Sequence, residues 1–286
     1  MKYRHGFHAG NFADVHKHVA LLALLTALKR KDKGFLYLDT HAGRGSYELS
    51  AASAEAASGV GRLTQARHES EELRAYAARL AQLRSAAARP HLYPGSPLLA
   101  VSELRAQDRA VLIELQGAEA HHLENALRVV AATHEEGPRV RIERGDGFAA
   151  LRASLPPPER RGLTFLDPPY EETRDDHTQV ASALAEGLRR FPTGVFVAWY
   201  PIKDERDSSA WRAACAGALH AAVLSSELWL YPRDSRVALN GSGLLIVNPP
   251  WRTLERMQVW LPELETCLAV GSGAGSRAQM LSQSAA

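Results

Sequence analysis

A series of short apolar runs, most of them separated by helix-patterned segments, restricts this chain to a sheet flanked by helices. The first run, Phe35-Leu36-Tyr37-Leu38-Asp39-Thr40, is continuous rather than alternating. A strand buried on both faces reads this way, and buried parallel strands are the usual case. It delivers the chain into a glycine turn, His41-Ala42-Gly43-Arg44-Gly45. Further strand candidates are Ala110–Leu115, Arg139–Arg144, Gly162–Leu166, Gly194–Tyr200, Ser226–Leu230 and Gly243–Val247. Helical patterns lie between most of them, such as Val180, Leu184, Leu188 and Phe191 at spacings of three and four. Each parallel return needs a crossover, so the alternation predicts an α/β fold, a mostly parallel sheet with helices on both faces. Ligands in such folds bind at the carboxyl ends of the strands.

One domain over residues 1–286 accommodates this pattern, with one interruption and no internal repeat. Residues 47–94 are rich in alanine, glutamate and arginine, and Leu73, Tyr76, Leu80 and Leu83 form a helical stripe, which predicts an inserted helical subdomain. It ends in Pro94-Gly95-Ser96-Pro97, a turn expected to open a new helix with Ser96 as its cap and Pro97 in first position. Nearer the start, Asn11 is expected to cap a helix, with Asp14 in a capping-box-like position and Val15, Val19, Leu22 and Leu25 on one face. His18 shares that face one turn after Asp14, so spacing alone predicts a half-buried histidine bonded to that aspartate. Residues 271–286, rich in serine, glycine and alanine, are expected to be loosely ordered.

Composition narrows the class. With 45% apolar and 23% charged residues the chain is an ordinary folded protein rather than a disordered one. A formal charge of only +2 means that any nucleic-acid face must be local. The two cysteines, Cys215 and Cys267, are isolated in helix-like segments, which points to reduced thiols and excludes a cysteine zinc site; no metal is expected. The longest apolar stretch, Val19 to Leu28, is too short to span a bilayer, which takes about 20 residues. The N-terminus lacks the uninterrupted apolar core of a signal peptide, so a cytoplasmic protein with no membrane partner is expected.

The chemistry concentrates at strand ends. Asp167-Pro168-Pro169-Tyr170 follows the run Leu163-Thr164-Phe165-Leu166, and two consecutive prolines fix its backbone. An exocyclic adenine amine is a poor nucleophile because its lone pair is delocalised into the ring. Hydrogen bonds from that amine to the Asp167 carboxylate and the Pro168 carbonyl would localise the pair, and Tyr170 would stack on the flipped base. The bland alternative is a rigid turn with a capping aspartate. Asn248-Pro249-Pro250-Trp251 also follows an apolar run, but the Asp167 motif already fills the expected slot, so this second motif is read as structural. The turn at Gly43 suits close approach to a nucleotide-like cofactor, although Glu48 stands where a dinucleotide fold wants its third glycine, which disfavours a nicotinamide oxidoreductase. Glu114 ends the next strand and is a natural partner for ribose hydroxyls, while Asp146-Gly147 ends the third and could accept from an adenine amine. Each acid alone could be a helix cap. The segment Tyr3-Arg4-His5-Gly6-Phe7-His8-Ala9-Gly10-Asn11, with Lys17 and His18 following, mixes rings and cations as single-stranded nucleic-acid contacts do, and equally as a poorly ordered terminus does.

Taken together, these residues resemble the RlmJ family of bacterial 23S ribosomal RNA adenine-N6 methyltransferases. The likeness runs from Tyr3–Asn11 through Ala13-Asp14-Val15-His16-Lys17-His18, Phe35–Gly43, Tyr93–Pro97, Asp146-Gly147-Phe148, Arg160-Arg161-Gly162-Leu163, Asp167–Tyr170 and Trp199-Tyr200-Pro201 to Asn248–Trp251. The resemblance implies a Rossmann-like class I S-adenosylmethionine-dependent methyltransferase with a small inserted helical subdomain. It implies 23S rRNA, naked or partly assembled, as partner and no protein partner. It puts His18, His41, Ser96, Glu114, Asp146 and Gly147 around S-adenosylmethionine, Asp167 at the reaction and Tyr3 at the RNA; the reading of the residues adds Gly43 to the cofactor site, Pro168 and Tyr170 to the reaction, and Arg4, His5 and Lys17 to the RNA. For His18 the resemblance replaces the reading from spacing. A DNA adenine methyltransferase would share the Asp167 motif, and a non-catalytic RNA-binding module would share the scaffold; both stay open on the residues alone.

Overall fold

A computed structural model describes residues 8–50, 52–131, 137–170, 173–233, 235, 237 and 239–283. Helix α1 (Phe12–Lys29) leads into strand β1 (Leu36–Asp39). Strands β2 (Ser46–Glu48) and β3 (Leu92–Pro94) then pair antiparallel as a small ribbon. Between them lie the short helices α2 (Ala54–Ala56) and α3 (Arg62–Gln65), joined by a π-helical turn, and the longer α4 (Glu71–Ala86). The inserted subdomain is therefore helical as expected, but it stands on a two-stranded stem. The rest alternates: α5 (Ser96–Val101), β4 (Arg109–Glu114), α6 (Gly117–Ala131), β5 (Arg139–Arg144), α7 (Gly147–Ser154), β6 (Gly162–Leu166), α8 (Thr173–Arg190), β7 (Val195–Ile202), α9 (Glu205–Ala218), β8 (Val223–Trp229), β9 (Gly241–Val247), α10 (Thr253–Leu268) and β10 (Gly275–Ser282).

Eight strands form one Rossmann-like sheet in the order β10-β8-β9-β7-β6-β1-β4-β5. From β5 to β7 all neighbours are parallel, and β9, β8 and β10 complete the sheet with antiparallel pairs. From β1 the chain winds outward to β4 and β5, then returns to the other side of β1 as β6 and β7. The order thus reverses between β1 and β6, the switch point at which a crevice opens beyond the strand ends. Leu36 pairs with both Arg109 and Gly162, so Asp39, Glu114 and Asp167 emerge at one edge. Because β9 runs against β7, with Val247 opposite Phe196, Asn248-Pro249-Pro250-Trp251 emerges at the other edge. Strand direction alone removes that motif from the site, in agreement with its structural reading.

Among the described residues, those from 271 to 283 depart from the expected loosely ordered tail. Residues Gly275–Ser282 make the edge strand β10, in register with β8 from Gly275 opposite Trp229. Arg277 there reaches Glu227, which is fully buried and is also held by Arg212 and by the Tyr200 hydroxyl. This charge cluster gives an otherwise small-residue strand a fixed partner.

Helix α1 begins at the expected cap: Asn11 Oδ1 accepts from the N–H groups of Ala13 and Asp14. Asp14 reaches back to the N–H of Gly10, one residue before the cap. Val15, Val19 and Leu25 are buried, and so are the polar residues Asp14, His16, Lys17 and His18. A buried polar side chain needs a partner. His16 has two, with Nδ1 2.9 Å from Ser242 Oγ and Nε2 2.9 Å from Ser226 Oγ, which ties α1 to β9 and β8. Burial pushes its pKa down to about 3, so it is neutral throughout the physiological range.

Candidate active site

Asp167 leaves β6 half-exposed at the switch point, and its Oδ2 lies 2.6 Å from Lys17 Nζ. The same ammonium is 3.0 Å from Asp14 Oδ1 and 4.7 Å from the centre of the Trp199 ring. Lys17 is 3% exposed. The sequence expectation that Lys17 meets RNA phosphates is therefore corrected: its cation is held inside the site between two carboxylates. The bond to Asp167 engages Oδ2, so Oδ1 is the oxygen left to accept from an incoming amine. Pro168 is buried and Pro169 exposed, so the turn stands on one proline and shows the other to solvent.

Tyr170 donates its hydroxyl to the carbonyl of Trp199 at 2.6 Å. Its ring meets those of His177 and Trp199 edge-on, at 5.2 and 5.5 Å between centroids, and is 9% exposed. It is thus a wall of the crevice, with little ring surface open for a stacked base in this arrangement.

The β1 end supplies a residue that the sequence reading passed over. Asp39 accepts from the hydroxyls of Tyr37 at 2.7 Å and Ser96 at 2.8 Å, and from the His41 N–H at 3.2 Å. Complete burial raises its pKa to about 6, the three hydrogen bonds opposing that rise. Its strand-terminal position was the available signal. Ser96 is the first residue of α5 rather than its cap; Gly95 holds the cap position, and the Ser96 hydroxyl is spent on Asp39.

His41 follows directly, Nδ1 2.8 Å from Thr40 Oγ1 and its ring edge-on to Phe148 at 4.9 Å. Burial lowers its pKa to about 4, against the pull of Asp167 and Asp146. A neutral imidazole does not repel a cationic ligand. Gly43, in the left-handed region at φ 62°, donates its N–H to Glu114 Oε2 at 2.9 Å, while Glu114 Oε1 accepts from Gln116 N at 2.7 Å. The carboxylate is held at the crevice by two backbone amides, its pKa raised chiefly by burial. Asp146 caps α7, its Oδ1 accepting from Phe148 and Ala149 N–H groups. Only the other oxygen remains for a ligand. Gly147 is required by packing, because a Cβ there would lie 1.9 Å from the Thr40 carbonyl oxygen.

His18 stands farther along α1, with Nδ1 2.9 Å from the Tyr93 hydroxyl, which is 3.1 Å from that of Tyr76. It is 3% exposed. Tyr3, Arg4 and His5 lie outside the described residues. The chain enters at His8, which pairs with Glu55 of the insert at 2.8 Å, and Val60 N–H donates to Gly10 O. Among the described residues no group of side chains could hold a metal ion, and no helix is long and apolar enough to cross a membrane.

Comparison with known proteins gives the same picture at the level of the whole chain. A family model described as ribosomal RNA large subunit methyltransferase D, RlmJ, matches residues 32–280. The chain is 37% identical over 280 residues to Ribosomal RNA large subunit methyltransferase J of Haemophilus influenzae, covering 96% of each. It is 38% identical over 285 residues to the protein of that name from Escherichia coli K12, again covering 96% of each. The crystal structure of protein LPL1258 from Legionella pneumophila superposes with a TM-score of 0.82 at 32% identity, over 95% of this chain and 98% of that one.

Proposed function

The chain belongs to the RlmJ family of ribosomal RNA large subunit methyltransferases, and from that premise we propose that it transfers a methyl group from S-adenosylmethionine to N6 of an adenine in 23S rRNA, in the cytoplasm. The observation that carries the reading is Asp167, a carboxylate fixed by Lys17 at the switch point of the sheet. The crevice suits the cofactor chemically. Glu114, oriented by the amides of Gly43 and Gln116, offers acceptors to ribose hydroxyls, the second oxygen of Asp146 offers one to an amine, and neutral His41 tolerates a sulfonium. Bound there, S-adenosylmethionine supplies an electrophilic methyl group.

The protein's own part is to make the amine nucleophilic and to aim it. Asp167 Oδ1 and the Pro168 carbonyl accept from the two N6–H groups, turning the lone pair out of the ring plane. Lys17 stops Asp167 rotating, because one oxygen is anchored while the other works. Tyr170 and Trp199 exclude water from one side of the base. As the methyl leaves the sulfonium for N6 the amine becomes cationic, and loss of one of its protons to solvent returns it to neutral. Asp39 and Ser96 hold the floor of the crevice, and Tyr3, Arg4 and His5 are assigned to the RNA on the sequence and the family resemblance alone.

Mapping N6-methyladenine in rRNA and genomic DNA, by mass spectrometry with and without the gene, tests the substrate. Loss of one rRNA adenine methylation is expected, and loss confined to DNA would overturn the choice of RNA. Asp167→Ala should abolish transfer while calorimetry still detects cofactor binding; appreciable residual turnover would sink the catalytic assignment.

A further inference from the structure

At the sheet edge opposite Asp167, a cleft of about 550 Å³ is lined by Arg30 and Lys31 from the end of α1, Arg160 and Arg161 from the turn before β6, and Trp251. Gly162, at the start of β6, also lines it. At about 3.3 Å per residue, the strand places this cleft roughly 16 Å from the catalytic carboxylate. Trp251 is 73% exposed, and the Arg252 guanidinium lies over its ring at 4.4 Å.

Several arginines elsewhere in the molecule are matched by acids, as Arg44 is by Glu119, Arg109 by Glu159 and Arg256 by Glu72, while others such as Arg62 and Arg84 bond backbone carbonyls. Arg30, Lys31, Arg160 and Arg252 have no carboxylate within ion-pair distance among the described residues, and all four are exposed. Arg161 spends its guanidinium on the carbonyls of Leu28 and Lys33, which keeps it in the cleft without neutralising it. In a chain of net charge +2 this is a local concentration of unbalanced cations. The backbone adds a second observation. Arg160 at φ 53° and Arg252 at φ 64° occupy the left-handed region, where glycine is favoured and a long side chain is strained. Ala88, His220 and Asn248 share that region, and of these five residues only the two at this cleft are arginines.

We propose that this cleft is a second RNA-binding site, in which Arg30, Lys31, Arg160 and Arg252 meet phosphates and a base stacks on the exposed Trp251. The inference rests on the reading of the protein as an enzyme acting on RNA. Cations around one accessible aromatic ring match single-stranded RNA, whose backbone and base faces are recognised by these two groups. The separation from Asp167 exceeds one nucleotide, so the cleft grips RNA beyond the target adenine. It therefore contributes to affinity for long substrates and not to the chemical step.

The test uses the full chain, a transcript of the 23S rRNA segment that the wild type methylates, and a short oligonucleotide bearing the same adenine. The double variant Arg160→Gly/Arg252→Gly should bind the transcript about tenfold or more weakly, with the slope of log K against log salt reduced by about 1.4. Its melting temperature should be equal or higher, since both substitutions relieve left-handed backbone, and cofactor binding and oligonucleotide methylation should be unchanged. Trp251→Ala should weaken transcript binding roughly 5- to 100-fold through lost stacking. Unchanged transcript affinity and salt slope in both variants would overturn the proposal and leave the cations to an acidic protein surface. A wild type that methylates no RNA would instead refute the functional reading, independently of whether the variants lose RNA affinity.

Discussion

Lys17 and Asp167 are separated by 150 residues in the chain, and their contact gives the site its order. Asp167→Asn keeps the shape of the side chain and removes its charge. Lys17 retains Asp14, so stability should fall by only about 1–2 kcal/mol, the scale of one charged hydrogen bond. Turnover should fall by about 10²–10³, as when one preorganised electrostatic group is lost. Urea unfolding and single-turnover assays separate the two, and a kcat within tenfold of wild type would contradict the role. Two buried groups titrate in opposite senses. His16 takes up a proton near 6.5 when unfolded and near 3 when folded. Lowering the pH from 7 to 5 therefore removes about 2 kcal/mol of stability. Asp39 takes up its proton near 6 when folded and near 3.8 when unfolded, so the same acidification adds back about 1 kcal/mol. Asp39→Asn abolishes that compensation. Its loss of stability between pH 7 and 5 should exceed the wild type's by about 1 kcal/mol in chemical denaturation, and parallel pH profiles would show that Asp39 is not the compensating group.

At the level of elements, the turn between β5 and α7 gives a paired test. Gly147→Ala would drive a methyl group into the Thr40 carbonyl, whereas Gly145 has open space around its Cβ position. The first substitution should cost about 2–3 kcal/mol and weaken cofactor binding, since it separates α7 from the end of β1. The second should stay within about 0.5 kcal/mol in a thermal melt, and equal effects would mean that the packing is looser than the distance implies. Strand interiors were legible because burial on both faces writes a continuous apolar run, as at Leu36–Leu38 and Leu163–Leu166. The β8 strand begins three residues before the expected Ser226–Leu230 run, across Ser225, a polar residue buried against Tyr200. Such serines read as loop until their distant partners are known. The same limit hid the partners of His18 and Lys17, which lie on Tyr93 and Asp167. The acids at the strand ends were legible by position, but whether each was spent on a cap, as Asp146 partly is, depended on the local turn. Strand β10 was missed because an edge strand shows one side to solvent and lacks the apolar signature of a central one.

For the molecule as a whole, that edge strand completes the sheet. Removing the residues from 271 onward would leave the outer side of β8 unpaired and deprive buried Glu227 of Arg277. A loss of about 3 kcal/mol is expected, or roughly 6–12 °C in melting temperature for a chain of this size, together with aggregation through the bared edge. An unchanged, monodisperse melt would show that β10 is dispensable. The sheet also has a direction in time. Its parallel half, β1 to β7, is synthesised first, and the antiparallel half follows as β8, β9 and finally β10. A nascent chain can therefore pair Lys17 with Asp167 and close the switch point before its last strand has left the ribosome. Until β10 emerges, β8 offers a hydrogen-bonding edge to whatever is nearby.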